Sequence, residues 1–189
     1  MTSVASQAAG VSVRRARIAD VRSIKSLVDS DAGRVLLEKE LITLYEDVQE
    51  FWVAELDGRV VGCGALHVLW EDLAEIRTVA VDRGVRGRGV GHALVGALID
   101  LADELGLTRI FVLTFETEFF ARHGFAEIDG TPVPREVYEE MRRSPDTGVA
   151  EFLDLPLVKP NTLGNTRMLL HLDGARHRED SARSHPAED

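Results

Sequence analysis

The stretch Ala74-Glu75-Ile76-Arg77-Thr78-Val79-Ala80-Val81, followed by Arg83-Gly84-Val85-Arg86-Gly87-Arg88-Gly89-Val90-Gly91, decides the fold of this chain. The first part is rich in β-branched and apolar residues and reads as a strand. The second is a glycine-rich turn. A helix follows, about Gly89 to Leu105, with Leu94, Leu98, Leu101 and Leu105 inward, and Gly106 ends it. A strand running into a helix start brings unpaired backbone N–H groups to one point, and the helix dipole adds partial positive charge there. Glycines let the backbone take positive φ and approach a phosphate closely. Arg86 and Arg88 add cationic donors for the outer oxygens of such a group. No Gly-Lys-Ser/Thr follows, so the turn is not a P-loop, and Gly87, Gly89 and Gly91 do not match the Gly-x-Gly-x-x-Gly of dinucleotide folds. The bland alternative is a surface connection with helix-capping glycines.

Outward from this unit the order of elements is mixed α/β. Val11 to Ile18 alternates like a strand. Asp20 is placed to cap a helix carrying Val21, Ile24, Leu27 and Val28, and Val35 to Gln49 reads as a second helix with Leu37, Leu41, Leu44 and Val48 on one face. Phe51–Leu56 and Val60–Leu69 form a hairpin about Asp57-Gly58. Beyond the long helix, Arg109–Leu113 is a buried strand, Thr117–His123 a short helix stopped by Gly124, and Phe125–Ile128 the start of a strand. Pro134–Arg143 is a helix, and Glu151–Leu155 and Arg167–Leu172 are late strands. Residues 1–10 read as a flexible arm, 11–172 as one domain, and 173–189 as a disordered tail without apolar periodicity.

The 189 residues suffice for one core, and the formal net charge of −10 argues against a nucleic-acid partner or an anionic membrane surface. No apolar run is long enough to span a bilayer. A single cysteine, Cys63, allows no intrachain disulfide and suits the cytoplasm; between Gly62 and Gly64 it reads as a buried small residue rather than a nucleophile. His67, Glu71 and Asp72 lack diagnostic metal spacing, as do His177 and His185 in the tail, so no metal is expected.

The Arg-x-x-Gly-x-Gly turn, between its strand and its helix, resembles the pyrophosphate loop of the GNAT superfamily of N-acetyltransferases. The segment Glu118-Phe119-Phe120-Ala121-Arg122-His123-Gly124-Phe125 looks like that family's fourth motif. The resemblance implies the GNAT fold: a mixed, mostly antiparallel sheet flanked by helices, with a splay between strands 4 and 5. It also implies acetyl-CoA as co-substrate. Backbone groups of Val79, Ala80 and Val81 would hold the pantetheine arm, and Arg86, Gly87, Arg88, Gly89, Val90 and Gly91 the pyrophosphate. His92, Phe119 and Phe120 would line the adenine or thiol side; plain core packing is the alternative for the two phenylalanines.

A finer resemblance is to the acetyltransferase domain of N-acetylglutamate synthases. It rests on Ala74 to Val81, on Phe111-Val112-Leu113-Thr114 and on Phe-Phe-x-x-x-Gly-Phe. A helix leading into Phe51-Trp52-Val53-Ala54 adds to it. It covers Val13 to Leu172 and is most specific from Gly62 to Phe125. It implies transfer of acetyl to the α-amine of L-glutamate, or L-glutamine, the first step of arginine biosynthesis. Many bacterial members carry an amino-acid-kinase-like domain ahead of this one. This chain has no room for it and looks like the short, stand-alone form, which leaves arginine feedback at that domain open.

The attacking amine must be neutral, and a carboxylate can take its proton directly or through a water. Glu75 matches a catalytic glutamate of the synthases; a solvent-facing strand end is the bland reading. A backbone N–H near Thr78 or Val79 would stabilise the oxyanion. Where many GNAT enzymes place a tyrosine acid, this chain has Phe119 and Phe120, and the synthase resemblance offers Thr114 as donor instead. A dicarboxylate acceptor wants cations. Arg77 lies one strand step from Glu75 on the same face. Lys39 falls on the second helix, where the synthases carry basic residues, and Lys159 and Arg167 flank the late loop. Solvated surface bases are the alternative for all four. The expected partner is a small amino acid, with a homodimer as the expected assembly. Two other functions stay open: the same chemistry on another amine (a polyamine, an aminoglycoside or a protein N-terminus), and a non-catalytic acyl-CoA-binding sensor.

Overall fold

The computed structural model describes residues 10–31, 39–158 and 164–172. The arm before Gly10, the tail after Leu172 and Lys159 therefore lie outside the described residues. Seven strands of the described residues form one sheet: β1 (Val11–Arg15), β2 (Phe51–Leu56), β3 (Arg59–Trp70), β4 (Leu73–Val81), β5 (Arg109–Thr114), β6 (Ala126–Glu127) and β7 (Thr166–His171). The spatial order is β1-β2-β3-β4-β5-β7-β6, antiparallel throughout except for the parallel pair β4–β5. The β2–β3 hairpin turns at Asp57 and Gly58, with φ of 51° and 72°, the positive angles that an Asp-Gly turn supplies.

Among the described residues six α-helices flank the sheet: α1 (Val21–Asp31), α2 (Leu41–Glu46), α3 (Val90–Glu104), α4 (Thr117–Ala121), α5 (Arg135–Met141) and α6 (Thr147–Phe152). Helix α3 buries Val90, Leu94, Val95, Leu98, Leu101 and Ala102, a stripe at the spacing of one helix face. It lies close to the sheet because β3 presents Gly62 and Gly64 beneath it. A Cβ on Gly62 would stand 2.9 Å from Leu94 Cδ1, and one on Gly64 3.1 Å from Leu98 Cδ1. Each fully buried leucine of that stripe contributes about 2 kcal/mol, which pins the N-terminal end of α3 at the end of β4.

The opposite face carries two apolar groups. Helix α1 packs Val21, Ile24 and Val28 against Phe51, Val53, Cys63 and Ala80. Helices α5 and α6 pack Met141, Val149 and Phe152 against Leu73, Phe111 and Leu169. Along β4 the side chains between these groups are Glu75 and Arg77, so a polar region interrupts the core on this face.

Several local expectations differ from the fold. Glu151–Leu155 is not a strand: its first two residues end α6, because Asp146 accepts the Val149 N–H at 3.0 Å and starts a helix. Lys39 is not on a helix. Glu40 is extended (φ −64°, ψ 148°), α2 begins only at Leu41, and a 3-10 turn, Val48–Glu50, replaces its expected last turn. Asp20 ends a 3-10 turn ahead of α1. It accepts the Arg17 N–H at 2.7 Å and pairs with Arg14, tying β1 to α1 rather than capping the helix with its side chain.

Candidate active site

The parallel ladder between β4 and β5 has three rungs, Leu73↔Arg109, Ala74↔Ile110 and Glu75↔Phe111, and then stops. Both strands continue, to Val81 and Thr114, so they diverge beyond Glu75. The divergence opens a cleft of about 620 Å³. One wall is β4 from Ile76, the other is β5 from Val112, and the glycine turn with the start of α3 closes one end. This is the splay that the family resemblance implies.

The turn has the geometry an anion cradle needs. Gly87 and Gly89 have φ of 79° and 81°, accessible to glycine at no steric cost. Gly89 precedes the fifteen-residue helix α3, and a Cβ on Gly91 would meet the Phe119 ring at 3.3 Å. Arg86, Gly87, Gly89, Val90, Gly91 and His92 all border the cleft. Arg88 is exposed and does not border it, and Ala80 is buried on the α1 side.

Thr78, Val79 and Val81 line the β4 wall. Cys63 faces Ala80 and Ala65 faces Arg77, so Thr78 and Val79 together oppose Gly64. Thr78 takes φ of 59°, an outlier for a β-branched residue. The buried Cys63 thiol, its pKa pushed up to about 12 by burial, contacts the Thr78 carbonyl at 3.8 Å.

On the β5 side, Thr114 is buried and accepts the Glu116 N–H through Oγ1 at 2.9 Å; it also borders the cleft. Phe119 and Phe120 border the cleft too. Phe120 is at the same time core, edge-on to Phe125. Phe119 stacks near His92, whose Nδ1 lies 2.8 Å from His123 Nε2.

Glu75 sits on the last rung before the fork. It is 3% exposed, and its Oε2 has no hydrogen-bond partner. Burial pushes its pKa up to about 7, opposed by the Arg77 charge and reinforced by Glu151. Arg77 meets carboxylates of the protein itself: Asp146 at 3.0 Å and Glu50 at 3.1 Å, with Asp47 at 3.9 Å. His67 of β3 completes the ring, with Nδ1 2.8 Å from Glu50 and Nε2 3.7 Å from Asp146. Burial lowers the His67 pKa, but the Glu50 hydrogen bond and charge raise it overall. Burial raises the pKa of both Asp47 and Glu151, and the charge of half-buried Lys39 opposes that rise.

Arg167 is committed elsewhere. It donates to the carbonyls of Gly130 and Glu151 at 3.1 Å each and to that of Phe152, and it stacks over Phe111 at 4.9 Å. It fastens β7 to α6, a structural task the residue type alone does not reveal. Conversely, sequence reasoning missed Glu50, His67, Asp146, Gly148 and Glu151 as neighbours of Glu75 and Arg77. For Asp146 and Glu151 a signal existed: Asp146 three positions before Val149, then Val149, Phe152 and Leu153 at helical spacing.

The Acetyltransferase (GNAT) family profile matches residues 21–127. An amino-acid acetyltransferase of Mycobacterium tuberculosis is 69% identical over 163 residues, which is 85% of this chain and 94% of that protein. The crystal structure of Rv2747 from Mycobacterium tuberculosis in complex with CoA and NLQ superposes with a TM-score of 0.84 at 68% identity, covering 86% of this chain and 99% of that one. N-acetylglutamate synthase from Neisseria gonorrhoeae, complexed with coenzyme A and N-acetyl-glutamate, gives a TM-score of 0.68 at 26% identity. That match covers 86% of this chain and 35% of the synthase, so the chain spans about a third of it.

Proposed function

The chain belongs to the GNAT acetyltransferase family, and from that premise we propose that it transfers acetyl from acetyl-CoA to the α-amine of L-glutamate, or L-glutamine, at the entry to arginine biosynthesis. The observation that carries the reading is the position of Glu75, a buried carboxylate whose Oε2 has no hydrogen-bond partner among the described residues, at the rung where β4 and β5 part. The diphosphate of CoA lies against the glycine turn, and the pantetheine arm runs along Val79 and Val81. The thioester then reaches the fork where Glu75 waits.

The acceptor arrives as an ammonium. One proton passes to Glu75, and the freed lone pair forms the N–C bond at the acetyl carbonyl, whose oxyanion is held by a β4 backbone N–H near Thr78 or Val79. The C–S bond then breaks with its electron pair on sulfur. A second proton from the nitrogen ends on that sulfur, with Thr114, which borders the cleft, as its donor. The products are the amide, the CoA thiol and one proton, which leaves Glu75 for solvent.

Lys39 and Arg77, with Lys159, are the cations for the acceptor's carboxylates. The carboxylates already around Arg77 favour glutamine as the second acceptor, since its neutral side-chain amide adds no charge to them. The single cysteine supports a cytoplasmic setting; among the described residues no helix is long and apolar enough to cross a membrane. A homodimer paired through the late strands is the assembly we take.

The test is a thiol-release assay with glutamate, glutamine, a polyamine, an aminoglycoside and an N-terminal peptide. Glutamate- or glutamine-dependent release is expected, falling about 10²- to 10⁴-fold in Glu75→Gln while CoA affinity is kept. CoA binding without turnover of any amine would identify a sensor instead.

A further inference from the structure

Two carboxylate oxygens beside Arg77 have no hydrogen-bond partner among the described residues, Glu75 Oε2 and Glu151 Oε1. Glu75 is 3% exposed and Glu151 9%. A buried acceptor left without a donor costs about 1–3 kcal/mol, and more when it is charged. Native structures keep such groups where a ligand or an ordered water completes them.

The two oxygens belong to facing surfaces. Gly148 and Glu151 are three positions apart on α6 and so share one side of it. A Cβ on Gly148 would stand 2.7 Å from Glu75 Oε2 and 2.7 Å from Arg77 Nη1, so that side of α6 lies directly on the end of β4 that borders the fork. The nearby guanidinium does not serve either oxygen by a hydrogen bond; Arg77 spends its donors on Asp146 and Glu50. What the pair lacks is a compact group with one positive charge and hydrogens aimed in more than one direction. A primary ammonium has three such hydrogens. A water supplies two and no charge.

We propose that Glu151 is the second carboxylate of the acceptor-amine site, receiving with Glu75 the incoming ammonium, one N–H to each unpartnered oxygen. The proposal rests on the reading of the chain as an amino-acid acetyltransferase. It gives α6 a role in the chemistry: Gly148 sets its distance from β4, and Glu151 contributes the second acceptor. Glu75 remains the group that takes the proton. Glu151 fixes the ammonium so that the lone pair, once freed, faces the thioester, and its charge makes Glu75 a stronger base.

The experiment is steady-state kinetics of Glu151→Gln across about pH 5.5 to 9, with thermal melts and CoA calorimetry on the same protein. The KM for the amino acid is expected to rise about ten- to hundredfold, with CoA affinity unchanged. The acid limb of the kcat/KM profile is expected to move to lower pH, because an anion that opposes ionisation of Glu75 has gone. An unchanged amine KM and an unmoved limb, whatever the melting temperature, overturn the proposal. Should the Gln variant not fold, Glu151→Asp decides: it keeps the charge and shortens the reach, so a raised amine KM with an unmoved limb supports the proposal, and wild-type values for both overturn it. Failure of the broader reading looks different: the unaltered protein binds CoA and turns over no amine, which removes this proposal as well.

Discussion

Arg77 and Asp146 stand 69 positions apart in the chain and meet with Nη1 3.0 Å from Oδ1 and 3.1 Å from Oδ2. The same Oδ1 accepts the Val149 N–H at 3.0 Å. One carboxylate therefore starts α6 and fastens it to β4, beside Glu75.

Removing that carboxylate has a calculable sign. Burial raises the Asp146 pKa, but the Arg77 charge and the Val149 N–H outweigh it and hold the group below the usual aspartate range. A depressed folded-state pKa contributes stability above the unfolded value and loses it as pH falls through the folded one. Asp146→Ala should cost about 2 kcal/mol at pH 7, and Asp146→Asn less, since it keeps a capping oxygen. Both gaps should shrink in urea unfolding as pH drops below about 4. A gap constant with pH would mean that the charge contributes nothing.

Much of the cofactor side was legible because its signals are local. The positive φ of Gly87 and Gly89 and the leucine stripe of α3 are consequences of residue type and spacing within one turn or helix. The divergence of β4 from β5 was not legible from periodicity; only the family resemblance implied it. The acceptor side was largely hidden. Glu50 reaches His67 across 17 positions and Arg77 reaches Asp146 across 69, and no short-range pattern encodes such pairs. The carboxylates around Arg77 and the three carbonyls that take the nitrogens of Arg167 were hidden for the same reason.

Glu75 sets stability and activity against each other. Its folded-state pKa, about 7, lies above the usual glutamate value of 4.5. A raised carboxylate pKa favours the fold at low pH, and that advantage is lost as pH rises through the folded value. The neutral isostere in Glu75→Gln avoids the cost of ionising inside the protein. It should be more stable than the natural chain by about 3 kcal/mol at pH 8 and by less than about 1 kcal/mol at pH 5, while losing turnover. In the natural enzyme kcat/KM should rise with pH through about 7. A gain over the natural chain no larger at pH 8 than at pH 5 would show that Glu75 is solvated.

Two glycines separate a functional contact from a conformational cost. Gly148→Ala places a Cβ 2.7 Å from Glu75 Oε2 and Arg77 Nη1 and 3.0 Å from Asp146 Oδ1, so α6 or those side chains must shift. The amine kcat/KM should fall about tenfold or more, with CoA affinity kept. Gly96 lies within α3 with nothing inside 4 Å of its would-be Cβ. Gly96→Ala should therefore stabilise by about 0.5–1 kcal/mol and leave kinetics alone. Equal kinetics for both variants would remove Gly148 from the site.

The bulge at Thr78 offers a last measurement. A threonine at φ 59° holds a conformation that L-residues with a branched Cβ avoid, at a cost of about 1–3 kcal/mol. Glycine adopts that angle freely but loses about 0.5–1 kcal/mol to chain entropy when placed in a strand. The two effects oppose each other, and the strain is the larger, so Thr78→Gly should unfold at the same or a higher denaturant concentration than the natural chain. If the strain is only the consequence of the two-against-one register with Gly64, acetyl transfer should survive the change, because glycine keeps the bulge and the neighbouring amides in place. A stable Thr78→Gly variant with raised CoA affinity but depressed kcat would show instead that the strained threonine positions the Val79 amide for the oxyanion, and that the strain is used in the reaction.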